Sequence, residues 1–192
     1  MPSISASERS AATDTRVWIF AYGSLMWRPG FEHEDVRDAW LHGYHRSLCV
    51  YSWVHRGTKE VPGVVLGLDR GGSCCGWAFR VSAEQEADIL EYLDARELVT
   101  EVYRRKRLPV TVVGRRVVAW SYVVRREHPQ YAGQLAQDRL LDLVRRGVGR
   151  SGNCRDYLLS TVGHLEAMGI VDGPLHMLAK ALVDAGAEPA PA

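Results

Sequence analysis

Val17-Trp18-Ile19-Phe20-Ala21-Tyr22 runs without a break into Gly23-Ser24-Leu25-Met26-Trp27. The first six are β-branched, aromatic or small, which suits a short buried strand. The glycine that follows ends it in a corner where backbone N–H groups can point outward and another group can approach closely. Ser24 adds a hydroxyl at the same corner. A strand emptying into a Gly-Ser corner is one way a fold holds an anion or a carbonyl oxygen; many such corners are only turns.

Working outward, the chain stays strand-like to about residue 125. Ala39–Tyr51, Val64–Leu68, Cys75–Val81, Val110–Val113 and Arg116–Val124 read as strands, punctuated by Pro29-Gly30, Pro62-Gly63, Gly71-Gly72 and Gly114-Arg115. One helix interrupts them, from about Ser82 to Arg96, with Ser82-Ala83-Glu84-Gln85 matching a capping box. After His128-Pro129 the pattern is helical: Leu135 to Gly147, Tyr157 to Gly169, and Leu175 to Leu182. Consecutive strands with a single early helix argue against a doubly wound parallel sheet. They favour an α+β domain built on a mostly antiparallel sheet or small barrel. Residues 16–183 read as one domain, with 1–15 and 184–192 as disordered tails.

Composition narrows the function. The chain has 192 residues, 46% hydrophobic, enough for a full core. A formal net charge of +1 supplies no global field for nucleic acid or an acidic membrane. No apolar stretch reaches spanning length, and the first fifteen residues lack the apolar core of a signal peptide. Cys49, Cys74, Cys75 and Cys154 follow neither a zinc spacing nor a disulfide framework, so no metal is expected and a reducing cytoplasm is.

The helix after Ser82 carries the chemistry. At about 100° per residue, Ile89, Leu90 and Leu93 share a face, with Glu84, Asp88 and Glu91 opposite. Glu97 falls on the apolar face. A desolvated carboxylate there has a raised pKa and is a better base near neutral pH. Two other readings stay open: Arg96 or Arg104 pairs it, or the helix ends sooner and exposes it. Glu86 falls on the same face and is read as part of a frayed first turn.

Other candidates are weighed beside it. Arg56, in the polar loop His55-Arg56-Gly57-Thr58, can clamp a carboxylate or simply be solvated. Tyr122 alternates with Val118, Trp120 and Val124, as a core residue with its hydroxyl at a rim. Arg104-Arg105-Lys106-Arg107 reads as a solvated strand or loop. Gly149-Arg150-Ser151-Gly152-Asn153 lacks the Lys-Ser/Thr of a phosphate loop and reads as a connection capped by Asn153.

Taken together, several segments resemble one family. They are Phe20-Ala21-Tyr22-Gly23-Ser24-Leu25-Met26-Trp27, Gly43-Tyr44-His45-Arg46, Arg56-Gly57-Thr58, Pro62-Gly63 and Gly71-Gly72-Ser73-Cys74. Further on come Gly76-Trp77-Ala78-Phe79-Arg80, Tyr92-Leu93-Asp94-Ala95-Arg96-Glu97, Tyr131-Ala132-Gly133 and Ser151-Gly152-Asn153. In this order they are similar to the ChaC-type γ-glutamylcyclotransferases, the glutathione-specific branch of that superfamily, from about residue 17 to 182. The resemblance implies a small mixed β-barrel flanked by helices. It implies cleavage of glutathione to 5-oxoproline and Cys-Gly without metal or organic cofactor. The expectation is a cytoplasmic monomer or homodimer that binds this small molecule and neither nucleic acid nor membrane.

By the same resemblance Glu97 is catalytic, and Tyr22, Gly23, Ser24, Leu25, Arg56 and Tyr122 bind substrate. Where some members continue Arg-Glu with Lys-Gly-Gly-Tyr, this chain has Leu98-Val99-Thr100-Glu101-Val102-Tyr103, and Lys59 stands where proline is frequent. Action on other γ-glutamyl peptides or γ-glutamylamines, and a non-catalytic γ-glutamyl-binding module, are the alternatives.

Overall fold

The computed structural model describes residues 16–184. Five strands close a barrel: β1 (Val17–Ala21), β2 (Asp35–Ser52), β3 (Gly63–Val81), β4 (Tyr103–Val112) and β5 (Arg115–Val124). Around the barrel they run β1-β3-β2-β4-β5. Every pairing is antiparallel except the closing one, where Trp18 and Ile19 lie parallel to Ala119 and Trp120. The barrel is therefore mixed and mostly antiparallel, as expected. α1 (Glu86–Glu97) crosses between β3 and β4, and α2 (Gln137–Arg146), α3 (Cys154–Ala167) and α4 (Gly173–Asp184) follow β5. A two-residue pair of strands, β6 (Val148–Gly149) and β7 (Gly152–Asn153), bridges α2 and α3.

β1 is buried on both faces, which explains its unbroken apolar run. Trp18 and Phe20 join Leu41, Leu68, Val110 and Val123 in one core, consistent with side chains filling a small barrel. Ile19 and Ala21 point the other way, into a second core shared with Leu93, Leu158, Leu165 and Leu178 of the helices. The corner after β1 thus opens where barrel and helices meet.

Several local readings change. Gly71-Gly72 does not separate two strands; it lies inside β3, opposite Gly43 of β2, where the pairing steps from His42↔Ser73 to Tyr44↔Arg70. One residue faces two, and all three glycines have positive φ (83°, 99° and 65°), so the long hairpin bends there without ending. Ser82 forms no cap: its hydroxyl approaches the Gln85 side chain at 3.5 Å, and a 3-10 turn (Ala83–Gln85) precedes α1. Glu86 is not frayed, because its carboxylate accepts the Trp120 indole N–H at 2.7 Å. Asn153 does cap α3, its Oδ1 accepting the Asp156 amide at 2.6 Å. The proposed tails lie outside the described residues, apart from Asp184, which closes α4. No helix of the described residues is long and apolar enough to cross a membrane.

Candidate functional site

A cavity of about 630 Å³ opens at this junction, within the range of small-molecule sites. It is lined by Tyr22, Gly23, Ser24, Leu25, Arg56, Glu97 and Tyr122. The seven residues singled out in the sequence therefore come together, from the end of β1, the β2–β3 loop, α1 and β5.

The corner is a 3-10 turn, Ser24–Met26, in which the Met26 amide donates to Gly23 O at 2.8 Å and the Arg28 amide to Ser24 O at 2.9 Å. The amides of Gly23, Ser24 and Leu25 have no acceptor among the described residues. A run of unpaired N–H donors at a cavity wall is suited to a carbonyl oxygen or an anion.

Glu97 is the last residue of α1, and its side chain is 21% exposed, so the helix persists far enough to bring it to the cavity. Desolvation holds its carboxyl above the usual glutamate range, opposed by the positive charge of Arg96. The pairing reading is also correct: Arg96 Nε lies 3.2 Å from Glu97 Oε1. Burial and the ion pair pull in opposite directions, and burial prevails. Tyr22, Tyr103, Tyr122 and Tyr157 surround the carboxylate electrostatically, and all four phenols are pushed up, chiefly by burial, so they stay protonated.

Tyr122 is buried, with its hydroxyl donating to Asp94 Oδ1 at 2.6 Å. The other Asp94 oxygen takes Arg105 Nη1 at 2.8 Å. With its proton committed, the phenol offers the cavity an acceptor. Arg56 stacks over the Tyr157 ring at 5.1 Å, and its Nη1 donates to the carbonyls of Ser151 (2.5 Å) and Asn153 (3.4 Å). The Nε–Nη2 edge is the one left to meet a carboxylate.

The Arg56 turn is held by close backbone packing. A Cβ on Gly149 would stand 2.5 Å from the Gly57 nitrogen and 2.7 Å from that of Arg56, and one on Gly63 would overlap the Arg56 carbonyl. Gly63→Ala is expected to destabilise the fold by about 1–3 kcal/mol through overpacking. Thermal unfolding checks this, and an unchanged midpoint would refute the packing account.

Sequence reasoning missed three supports. Asp94 orients Tyr122. Arg96 also reaches Ser24 Oγ at 3.0 Å, 72 residues upstream. Arg46, only 6% exposed, donates to Tyr22 O, to Cys75 O at 2.7 Å and to Asp172 Oδ2 at 3.0 Å, so it fixes the corner from behind. Only Arg46 left a signal: it shares a strand face with Leu48, and a charge on an apolar face needs partners. Among the described residues no three His, Cys, Asp or Glu side chains gather as a metal site.

Comparison with known proteins gives four concordant findings. A family model described as ChaC-like protein matches residues 17–185. A mouse protein named glutathione-specific gamma-glutamylcyclotransferase 1 is 32% identical over 96% of this chain and 86% of its own length. The Escherichia coli glutathione-specific gamma-glutamylcyclotransferase is 32% identical over 92% of this chain and 77% of its own. A solved yeast γ-glutamylcyclotransferase specific to glutathione superposes with a TM-score of 0.78, covering 88% of this chain and 96% of that one, at 20% identity. That last likeness concerns the fold.

Proposed function

The chain belongs to the ChaC-like family, and from that premise we propose that it is a glutathione-specific γ-glutamylcyclotransferase, releasing 5-oxoproline and Cys-Gly. The observation that carries the reading is the shared cavity: a half-buried, desolvated carboxylate, Glu97, lines the same cavity as a corner of unpaired amides.

The substrate supplies its own nucleophile. Its α-nitrogen attacks the γ-carbonyl carbon, a five-membered ring closes, and the bond to the cysteinyl nitrogen breaks. The protein's first task is to fold the substrate, which in favourable intramolecular reactions is worth about 7–11 kcal/mol. The second is proton traffic. An α-amine has a pKa of roughly 8 and is mostly protonated at neutral pH. Two protons leave the α-nitrogen, and two arrive at the cysteinyl nitrogen as it becomes an ammonium. Glu97, a base of raised pKa, relays them, a role worth roughly 10²–10⁴-fold. The Gly23, Ser24 and Leu25 amides stabilise the oxyanion that develops on the γ-carbonyl oxygen. Tyr122, its proton held by Asp94, accepts from the α-amine, and the Nε–Nη2 edge of Arg56 meets a substrate carboxylate. A cytoplasmic location suits the free thiols of Cys49, Cys74, Cys75 and Cys154.

Incubation of the purified protein with glutathione should yield 5-oxoproline and Cys-Gly in equal amounts; their absence would overturn the proposal. The same assay with γ-glutamylalanine tests substrate range. The residues that replace Lys-Gly-Gly-Tyr include Val99, Thr100 and Val102, which line the cavity, and Glu101 among them takes a positive φ of 58°. A γ-glutamylalanine rate matching that with glutathione would favour the broader γ-glutamyl reading.

A further inference from the structure

Neighbouring helical residues point about 100° apart and do not normally pair. At the end of α1, Arg96 nevertheless closes on Glu97, Nε to Oε1 at 3.2 Å. The rest of its guanidinium turns back to the corner after β1. Nη2 donates to Ser24 Oγ at 3.0 Å, and Nη1 donates to Arg28 O at 2.7 Å and to the Tyr92 hydroxyl at 3.3 Å. One planar fork thus touches both the carboxylate and the hydroxyl that line the cavity.

Resting on the cyclotransferase reading, we propose that Arg96 is a positioning residue for both halves of the reaction, keeping Glu97 ionised as the base and turning Ser24 into a hydrogen-bond donor for the substrate. The second effect follows from hydroxyl chemistry. A serine oxygen has one proton and two lone pairs. Arg96 occupies a lone pair, and the Ser24 proton has no acceptor among the described residues. That proton is free to serve the substrate oxygen alongside the three amides.

The first effect follows from the charges around Glu97. Arg96 on α1 is the cation beside it. The other titratable groups in electrostatic reach are Tyr22 after β1, Tyr103 on β4, Tyr122 on β5 and Tyr157 on α3, all held neutral by burial. Arg96 is therefore the charged neighbour that offsets the cost of an ionised Glu97 in this apolar setting.

The test is the pH dependence of kcat/KM for glutathione in wild type, Arg96→Gln, Arg96→Lys and Ser24→Ala. The acid limb reports Glu97; the alkaline limb reports the substrate amine, near roughly 8. Arg96→Gln should move the acid limb to higher pH, because an unsupported carboxylate holds its proton longer. Arg96→Lys should leave the limb in place, since the charge remains. Lysine lacks the fork, so it cannot keep every contact at once. Ser24→Ala should cost roughly tenfold in the wild-type background and clearly less in either Arg96 variant, because the hydroxyl is no longer oriented.

An acid limb unmoved in Arg96→Gln, or a Ser24→Ala loss equal in all backgrounds, would overturn the proposal. Should Arg96→Gln not fold, the Lys variant alone decides. A displaced limb, or undiminished Ser24→Ala cost there, refutes the assignment. A wild-type protein that makes no 5-oxoproline at any pH would instead refute the underlying function.

Discussion

Glu97→Gln is expected to lose about 10²–10⁴-fold in kcat while folding at least as well as the wild type. Glutamine keeps the size and hydrogen-bonding shape of the side chain, so the cavity and corner should be undisturbed. What disappears is the group that the proposed mechanism assigns to taking protons from the α-nitrogen. The stability half of the expectation follows from linkage. Because desolvation raises the folded-state pKa of Glu97, the native protein holds this proton more tightly than the unfolded chain does. The wild type therefore loses stability as pH rises from the ordinary glutamate value through the raised one. The glutamine variant has no such loss, so its advantage should appear over that window and persist above it. Activity and urea unfolding, measured on the same samples at acid and neutral pH, check both halves. A Glu97→Gln enzyme turning over at near wild-type rate would remove the base from the mechanism.

Arg46→Met should produce the largest loss of stability. The arginine side chain is 2% exposed, and its partner Asp172 is 14% exposed. Methionine fills the volume but strands a carboxylate and the carbonyls of Tyr22 and Cys75. Breaking a buried pair in this way costs about 3–5 kcal/mol. For a chain of this size that is roughly 6–20 °C in the unfolding midpoint. Asp172→Asn should cost much less, because an amide oxygen still accepts from the guanidinium. A midpoint for Arg46→Met within a degree or two of wild type would show that the corner needs no support from behind.

What the sequence disclosed was local. The β1 run, the apolar stripe of α1 with Glu97 at its end, and the Asn153 cap all follow from neighbours a few residues away. Readings that failed depended on distant partners. Gly71-Gly72 marks a bulge only because Gly43 sits opposite. The charged stretch Arg104–Arg107 is a strand, one of the two forms expected, and only its partners were hidden: Arg105 pairs with Asp94, and both Arg105 and Arg107 stack on Trp120. Glu86 is anchored by that same tryptophan from another strand. Arg96 offered no periodic clue to Ser24. In the site, the residue types could be nominated from the chain, but their orientation could not: the direction of the Tyr122 proton is set by Asp94, and the usable edge of Arg56 by the carbonyls of Ser151 and Asn153.

The parallel pairing that closes the barrel also bears on when the protein acquires its chemistry. Trp18 waits for Ala119, so everything between them is enclosed in a single long loop. The ordering entropy of that loop is spent before the contact repays it. Topologies dominated by such non-local pairings fold in milliseconds to seconds, far slower than helical bundles. Ser24, Arg96 and Glu97 all leave the ribosome before β5, yet the wall carrying Tyr122 arrives only with it. A nascent chain therefore carries most of the groups nominated for the site for some time without holding the site itself, which is complete only when the barrel shuts.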